Sequence, residues 1–171
     1  MRHTMIKLAL ALTMGIVMGM LGNQGLHAQQ ASPAPNIAGT YKLISRQLPD
    51  GTMLRPPAIM GLLTYTKSHR NFNVLWKDAR DKFFSYSLVS TYQLTPTEYS
   101  ETIVFSILND QIGGKDIAYD MSGKTQSVPV KVDGGRLQFK LPFDPPAVVF
   151  EGDKMTATAE GRFVDVWEKV P

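Results

Sequence analysis

The sequence predicts an all-β protein, built as an antiparallel up-and-down β-barrel of about eight to ten strands. Three observations carry that expectation. Side chains alternate with period two through most segments, most strictly at Phe84, Tyr86, Leu88, Ser90, Tyr92 and Leu94. No segment keeps a helical period over more than two turns. Turn residues recur at intervals of roughly 8–12 residues, the spacing of strands joined in series. A barrel is favoured over a sandwich because the apolar strands at 83–94 and 98–108 would otherwise leave adhesive edges. About eight strands enclose either packed side chains or one small ligand.

Length and composition narrow the field. The 171 residues suit one folded domain behind a leader. Residues 1–28 have the three parts of an export signal: Arg2 and Lys7, an apolar run at 8–21, and a polar stretch ending at Ala28, the expected cleavage point. The run is shorter than the ~20 residues that span a bilayer, and no second one follows, so a secreted or periplasmic protein without stable membrane insertion is expected. Residues 29–36 read as a flexible tether and 37–171 as the barrel domain. Taking the two leader cations from the 18 Lys and Arg leaves 16 against 15 Asp and Glu. A near-neutral domain is not a nucleic-acid footprint. Cysteine is absent, and His3 and His27 fall in the leader, leaving His69 alone in the domain. No metal site of the usual two-histidine kind and no cofactor are expected. The oligomeric state is left open.

The strands follow in order. Gly39-Thr40-Tyr41-Lys42-Leu43-Ile44-Ser45 opens the fold, with Tyr41, Leu43 and Ser45 on one face and Lys42, Ile44 and Arg46 on the other. Pro49-Asp50-Gly51 ends it with turn chemistry, and 52–59 reads as a connecting loop because Arg55-Pro56-Pro57 cannot be a central strand. Short strands at 61–66 and 72–76 precede 83–94. In the next strand Tyr99, Glu101, Ile103, Phe105 and Ile107 share a face, taken as the interior. Residues 119–132 suggest two short strands broken near Ser122-Gly123, and Asp133-Gly134-Gly135 is a hairpin turn. Leu137, Phe139, Leu141 and Phe143 then alternate, Asp144-Pro145-Pro146 closes that strand, and segments at 148–151, 155–159 and 162–170 complete the set.

At this stage a family comes into view. Gly39-Thr40-Tyr41 resembles the first-strand Gly-x-Trp motif of lipocalins, with Tyr in place of Trp. Gly61-Leu62-Leu63-Thr64-Tyr65-Thr66, the pair Thr91-Tyr92-Gln93-Leu94 and Tyr99-Ser100-Glu101-Thr102, and the ending Trp167-Glu168-Lys169 are similar to patterns of bacterial lipocalin-like domains, many of them uncharacterised. The resemblance spans most of 37–170. It implies a barrel that holds a small apolar molecule, closed at one end by Gly39, Tyr41, Trp167 and Lys169. Lys169 stands where such chains often carry Arg, and a cation–π contact with Tyr41 or Trp167 would replace the missing guanidinium fork.

Function is then expected in the interior. The leading expectation is a non-catalytic protein binding a small hydrophobic or amphipathic molecule. The interior candidates are Tyr65, Phe72, Trp76, Phe84, Tyr86, Tyr92, Phe105 and Phe139, which equally suit plain core packing. Glu101 is the most informative single residue, because an inward carboxylate needs a partner. Either it pairs with Arg46, Arg70 or Lys169 to hold the barrel's register, or it anchors a ligand. Two alternatives stand beside this expectation. One is a small enzyme with Glu101 and Tyr92 or Tyr99 as acid and base, and the other is a protein-interaction module with a filled barrel. No Gly-x-Ser-x-Gly elbow supports a serine hydrolase, and His69 reads as a solvated turn residue.

Overall fold

The computed structural model describes residues 36–171. The expected signal at 1–28 and most of the tether lie outside the described residues. Thirteen strands and no helix make up the described chain. The first half contains β1 Gly39–Gln47, β2 Met53–Leu54, β3 Ile59–Tyr65, β4 His69–Lys77, β5 Phe83–Leu94 and β6 Glu98–Asp110. Three short strands follow, β7 Ala118–Asp120, β8 Thr125–Pro129 and β9 Lys131–Asp133. The last four are β10 Arg136–Lys140, β11 Ala147–Glu151, β12 Lys154–Ala159 and β13 Phe163–Lys169.

One antiparallel sheet contains them all, in the order β7-β6-β5-β4-β3-β1-β13-β12-β11-β10-β9, with β2 beside β1 and β8 beside β6. First and last strands therefore meet in the middle of the meander, where Tyr41 faces Lys169 and Leu43 faces Trp167. The expected closed barrel of eight to ten strands is corrected here: eleven strands form the meander, and it curls through 216° into an open half-barrel. The reason lies in the segment that would have to zip both edges together. It is extended but interrupted, so β8 hydrogen-bonds to β6 while β9, one residue later, hydrogen-bonds to β10. No single strand in it pairs with both.

Two β-bulges decide which side chains face inward, because one extra residue moves everything after it to the opposite face. Between β5 and β6, Val89 pairs with Phe105 but Ser90 pairs with Ile103, leaving Val104 unpaired. Tyr99, Glu101 and Ile103 are buried before the bulge, whereas Ser106 is buried after it. Phe105, expected in the interior, is 37% exposed and lies on the outer face, as does Ile107. The second bulge lies in β1, where Leu43 faces Trp167 but Ser45 faces Val166. It turns Arg46, expected on the same face as Lys42, into the interior opposite Asp165.

The first and last strands also explain two glycines. Gly39 takes a φ of 146°, which favours glycine, and the flexible end of the Lys169 side chain crosses it where a Cβ would lie. Trp167 packs against Gly61, where a Cβ would lie 2.6 Å from the indole ring. The expected cation–π contact of Lys169 with Tyr41 or Trp167 is replaced by this crossing. The cation–π contacts of the described residues belong to Arg46 and Arg70 instead.

Candidate ligand cavity

The interior of the curl is rich in aromatic rings along its whole length, but it divides into two parts. In one, Tyr41, Tyr65, Tyr92, Tyr99, Phe139 and Phe150 form a continuous network. Tyr99 stacks on Phe139 at 4.3 Å, Tyr65 meets Tyr92 edge-on at 5.2 Å, and Tyr41 and Tyr65 both abut Phe150. All six are buried. The Tyr99–Phe139 stack joins β6 to β10, so side chains bridge the gap that the backbone ladder leaves open. Tyr92 adds a hydrogen bond from its hydroxyl to the Thr66 carbonyl at 2.6 Å.

The other part is hollow. A cavity of about 400 Å³ is walled by Phe72 and Trp76 of β4, Phe84 and Tyr86 of β5, and Trp167 of β13, with Tyr65 at its inner end. Its volume falls within the ~300–1,000 Å³ range of small-molecule sites. Trp76 stacks on Phe84 at 4.0 Å, and Phe72 touches both Tyr86 and Trp167. The Leu141 to Pro146 connection and β7 contribute further wall. Phe72, Trp76, Phe84 and Tyr86 are only partly covered by protein, unlike the buried Trp167 and the fully packed set beside them.

Charged side chains are built into the wall. Arg46 donates from Nε and Nη2 to the two carboxylate oxygens of Asp165 at 2.6 and 2.7 Å. Its guanidinium lies 4.5 Å from the Trp76 ring and 3.9 Å from that of Phe163, so a matched ion pair is sandwiched by aromatics. Burial holds the Asp165 carboxyl above its ordinary value, and Arg46 offsets only part of that shift.

Arg70 stands at the border between the two halves. Its Nη1 donates to Glu101 at 3.0 Å and its Nη2 to Asp144 at 3.2 Å. Ser90 donates to the same Glu101 oxygen. Burial alone would lower the Arg70 pKa, but Glu101, Tyr65 and Asp144 more than offset it, so the guanidinium stays charged. Four more buried polar atoms in this layer have no hydrogen-bond partner by geometry: Tyr65 Oη, Tyr99 Oη, Arg70 Nε and Glu101 Oε2. Burial, chiefly, pushes the Tyr65 and Tyr99 hydroxyls well up, with Glu101 adding to both. Tyr86, farther out, is pushed up to about 12 by burial first and by Asp144 second.

The sequence-derived site residues are therefore distributed unevenly. Phe72, Trp76, Phe84 and Tyr86 line the cavity, and Tyr65 caps its inner end. Tyr92 and Phe139 belong to the packed half, Glu101 lies behind Arg70 off the cavity wall, and Phe105 is outside altogether. Of the three partners considered for Glu101, Arg70 is the one it meets. Arg46, Asp165 and Asp144 were not identified as site residues by sequence reasoning. The signal for Asp165 was present, since it alternates with Phe163 and Trp167 on the inward face. Arg46 was hidden by its bulge, and Asp144 by its place in a turn.

An open antiparallel half-barrel with an aromatic cavity and internally matched charges is the class of protein that these features define. Compared with known proteins, the chain matches no family model, no curated protein and no solved structure.

Proposed function

We propose that this protein is an exported, lipocalin-like binder that holds a small hydrophobic or amphipathic molecule in the cavity without catalysing a reaction on it. One observation carries the reading: aromatic packing is complete in one half of the curl and stops at Arg70, leaving about 400 Å³ of aromatic-walled space in the other. A sheet that needed only a core would have filled both halves, since unfilled apolar volume costs stability. The leader-like residues at 1–28 support export, and the first-strand, second-strand and C-terminal motifs support the lipocalin-like assignment.

The test is uptake of a neutral fluorescent probe, N-phenyl-1-naphthylamine, by purified domain. Saturable fluorescence enhancement is expected in the wild type. Leu108→Trp, which adds an indole to the cavity wall, should weaken it by about tenfold or more, a loss of roughly 1.4 kcal/mol. Absence of saturable uptake, or uptake unaffected by filling the cavity, would overturn the reading. Native mass spectrometry of protein taken from its own envelope would then identify what it carries.

A further inference from the structure

The charges on the cavity wall bear on which polar group a bound molecule presents. Both inward guanidiniums are already committed. Arg46 gives two of its nitrogens to Asp165 and lies over the rings of Trp76 and Phe163. Arg70 gives one nitrogen to Glu101 and another to Asp144, and its Nε is enclosed away from solvent. Two buried cations thus meet three carboxylates, an excess of one negative charge.

That excess faces the cavity at Asp144. Its Oδ2 takes the Arg70 bond while its side chain keeps 15% exposure, so the carboxylate is reachable from the open side. Its charge is felt at the neighbouring Tyr86, whose ring meets Phe72 at 5.9 Å. A carboxylate beside electron-rich ring faces suits a cation and repels an anion, and both effects strengthen as water is excluded. The wall's other charges, Arg162 and Asp120, add one of each sign, so the excess comes from Glu101, which neutralises Arg70 from behind the wall and leaves Asp144 the carboxylate that faces the cavity.

We infer that the bound molecule carries an amine or comparable cationic group seated against Asp144 and Tyr86, with its apolar part between Phe72 and the Trp76–Phe84 stack, and that fatty-acid-like anions are disfavoured. The inference rests on the ligand-binding reading above and specifies the ligand class. It separates this cavity from one built to clamp a carboxylate, which would need an uncommitted buried cation, whereas Arg162, the wall's remaining arginine, is exposed to solvent.

The experiment displaces N-phenyl-1-naphthylamine from the wild type with three matched amphiphiles: decylammonium, decanol and decanoate. Decylammonium is expected to displace at about tenfold lower concentration than decanoate, with decanol between them. In Asp144→Asn, where the amide oxygen can still accept from Arg70, the gap should close to about threefold or less. Decanoate displacing as well as decylammonium would overturn the inference, as would a gap unchanged in Asp144→Asn. A probe that never enters the wild type would instead bring down the ligand-binding reading itself, so the two failures are distinguishable.

Discussion

The packed and the hollow halves of this curled sheet are made of the same material and behave differently. Tyr65, Tyr92, Tyr99, Phe139 and Phe150 touch one another ring to ring, and the space between them is used up. Phe72, Trp76, Phe84 and Tyr86 form their own stacks along the wall and leave the middle empty. Aromatic content does not separate the two. The difference comes from what lies across the sheet: Phe139 and Phe150 reach over to meet the first group, whereas Met155, Ala157 and a bulge-turned Arg46 face the second. A small Ala157 and a committed Arg46 leave space where Phe139 and Phe150 fill it on the other side. Arg70 marks the transition, fully enclosed yet on the cavity wall.

The largest test of this contrast sets the two arginines against each other. Arg70→Met removes the cationic partner of Glu101, which is fully buried and off the cavity wall, and should cost about 3–5 kcal/mol in urea unfolding. Arg46→Met leaves Asp165, 2% exposed but lining the cavity, without its partner, and should cost less, about 1–3 kcal/mol. Equal losses would mean that the two halves do not differ in their access to water. The same comparison can be made with phenylalanines. Phe139→Ala removes the stack that bridges β6 and β10 and should cost about 3–5 kcal/mol, while Phe84→Ala, half-covered on the cavity wall, should cost roughly 1–2 kcal/mol. Phe84→Ala should also admit bulkier probes. A Phe84→Ala loss as large as that of Phe139→Ala would show that the hollow half is packed in solution.

The smallest expected effect is a pH dependence. Burial raises the hydroxyls of Tyr65 and Tyr99 well above the ordinary 10.0, and that of Tyr86 to about 12. A group whose folded pKa is raised contributes stability that is complete below its unfolded value and disappears as pH climbs through the folded one. The unfolded chain releases these protons first, so stability should hold level up to about pH 10 and fall above it. Urea midpoints taken across that window should show a shallower fall in Tyr99→Phe than in the wild type, and a smaller change in Tyr86→Phe. Midpoints independent of pH through this range would place the packed tyrosines in contact with water.

Much of the architecture was legible locally. The period-two runs located β5 at both ends and β10 at its start, although β10 stops at Lys140 and does not run on to Phe143; Asp133-Gly134-Gly135 made the two-residue turn between β9 and β10, and the Gly39 and Trp167 segments are paired neighbours. These follow from alternation and turn chemistry, which act over a few residues and leave their mark in composition. Face assignment was legible only up to each bulge. Val104 and Ile44 look like ordinary strand residues, and nothing in their neighbourhood announces that Phe105 will turn outward or Arg46 inward. A bulge is a property of a strand pair and depends on what the partner strand presents.

What the sequence determined by itself was therefore the serial antiparallel strands, the all-β class and the need of an inward Glu101 for a cation. Tertiary structure alone decided that the cation is Arg70, that the sheet stays an open half-barrel through 216°, and that one half is packed while the other is hollow. The physical reason is the same in each case. Alternation specifies which residues leave the backbone together, but whether they meet a ring, a short side chain, a carboxylate or empty space depends on distant residues, 31 positions away for Arg70 and Glu101 and 119 for Arg46 and Asp165, brought opposite by register.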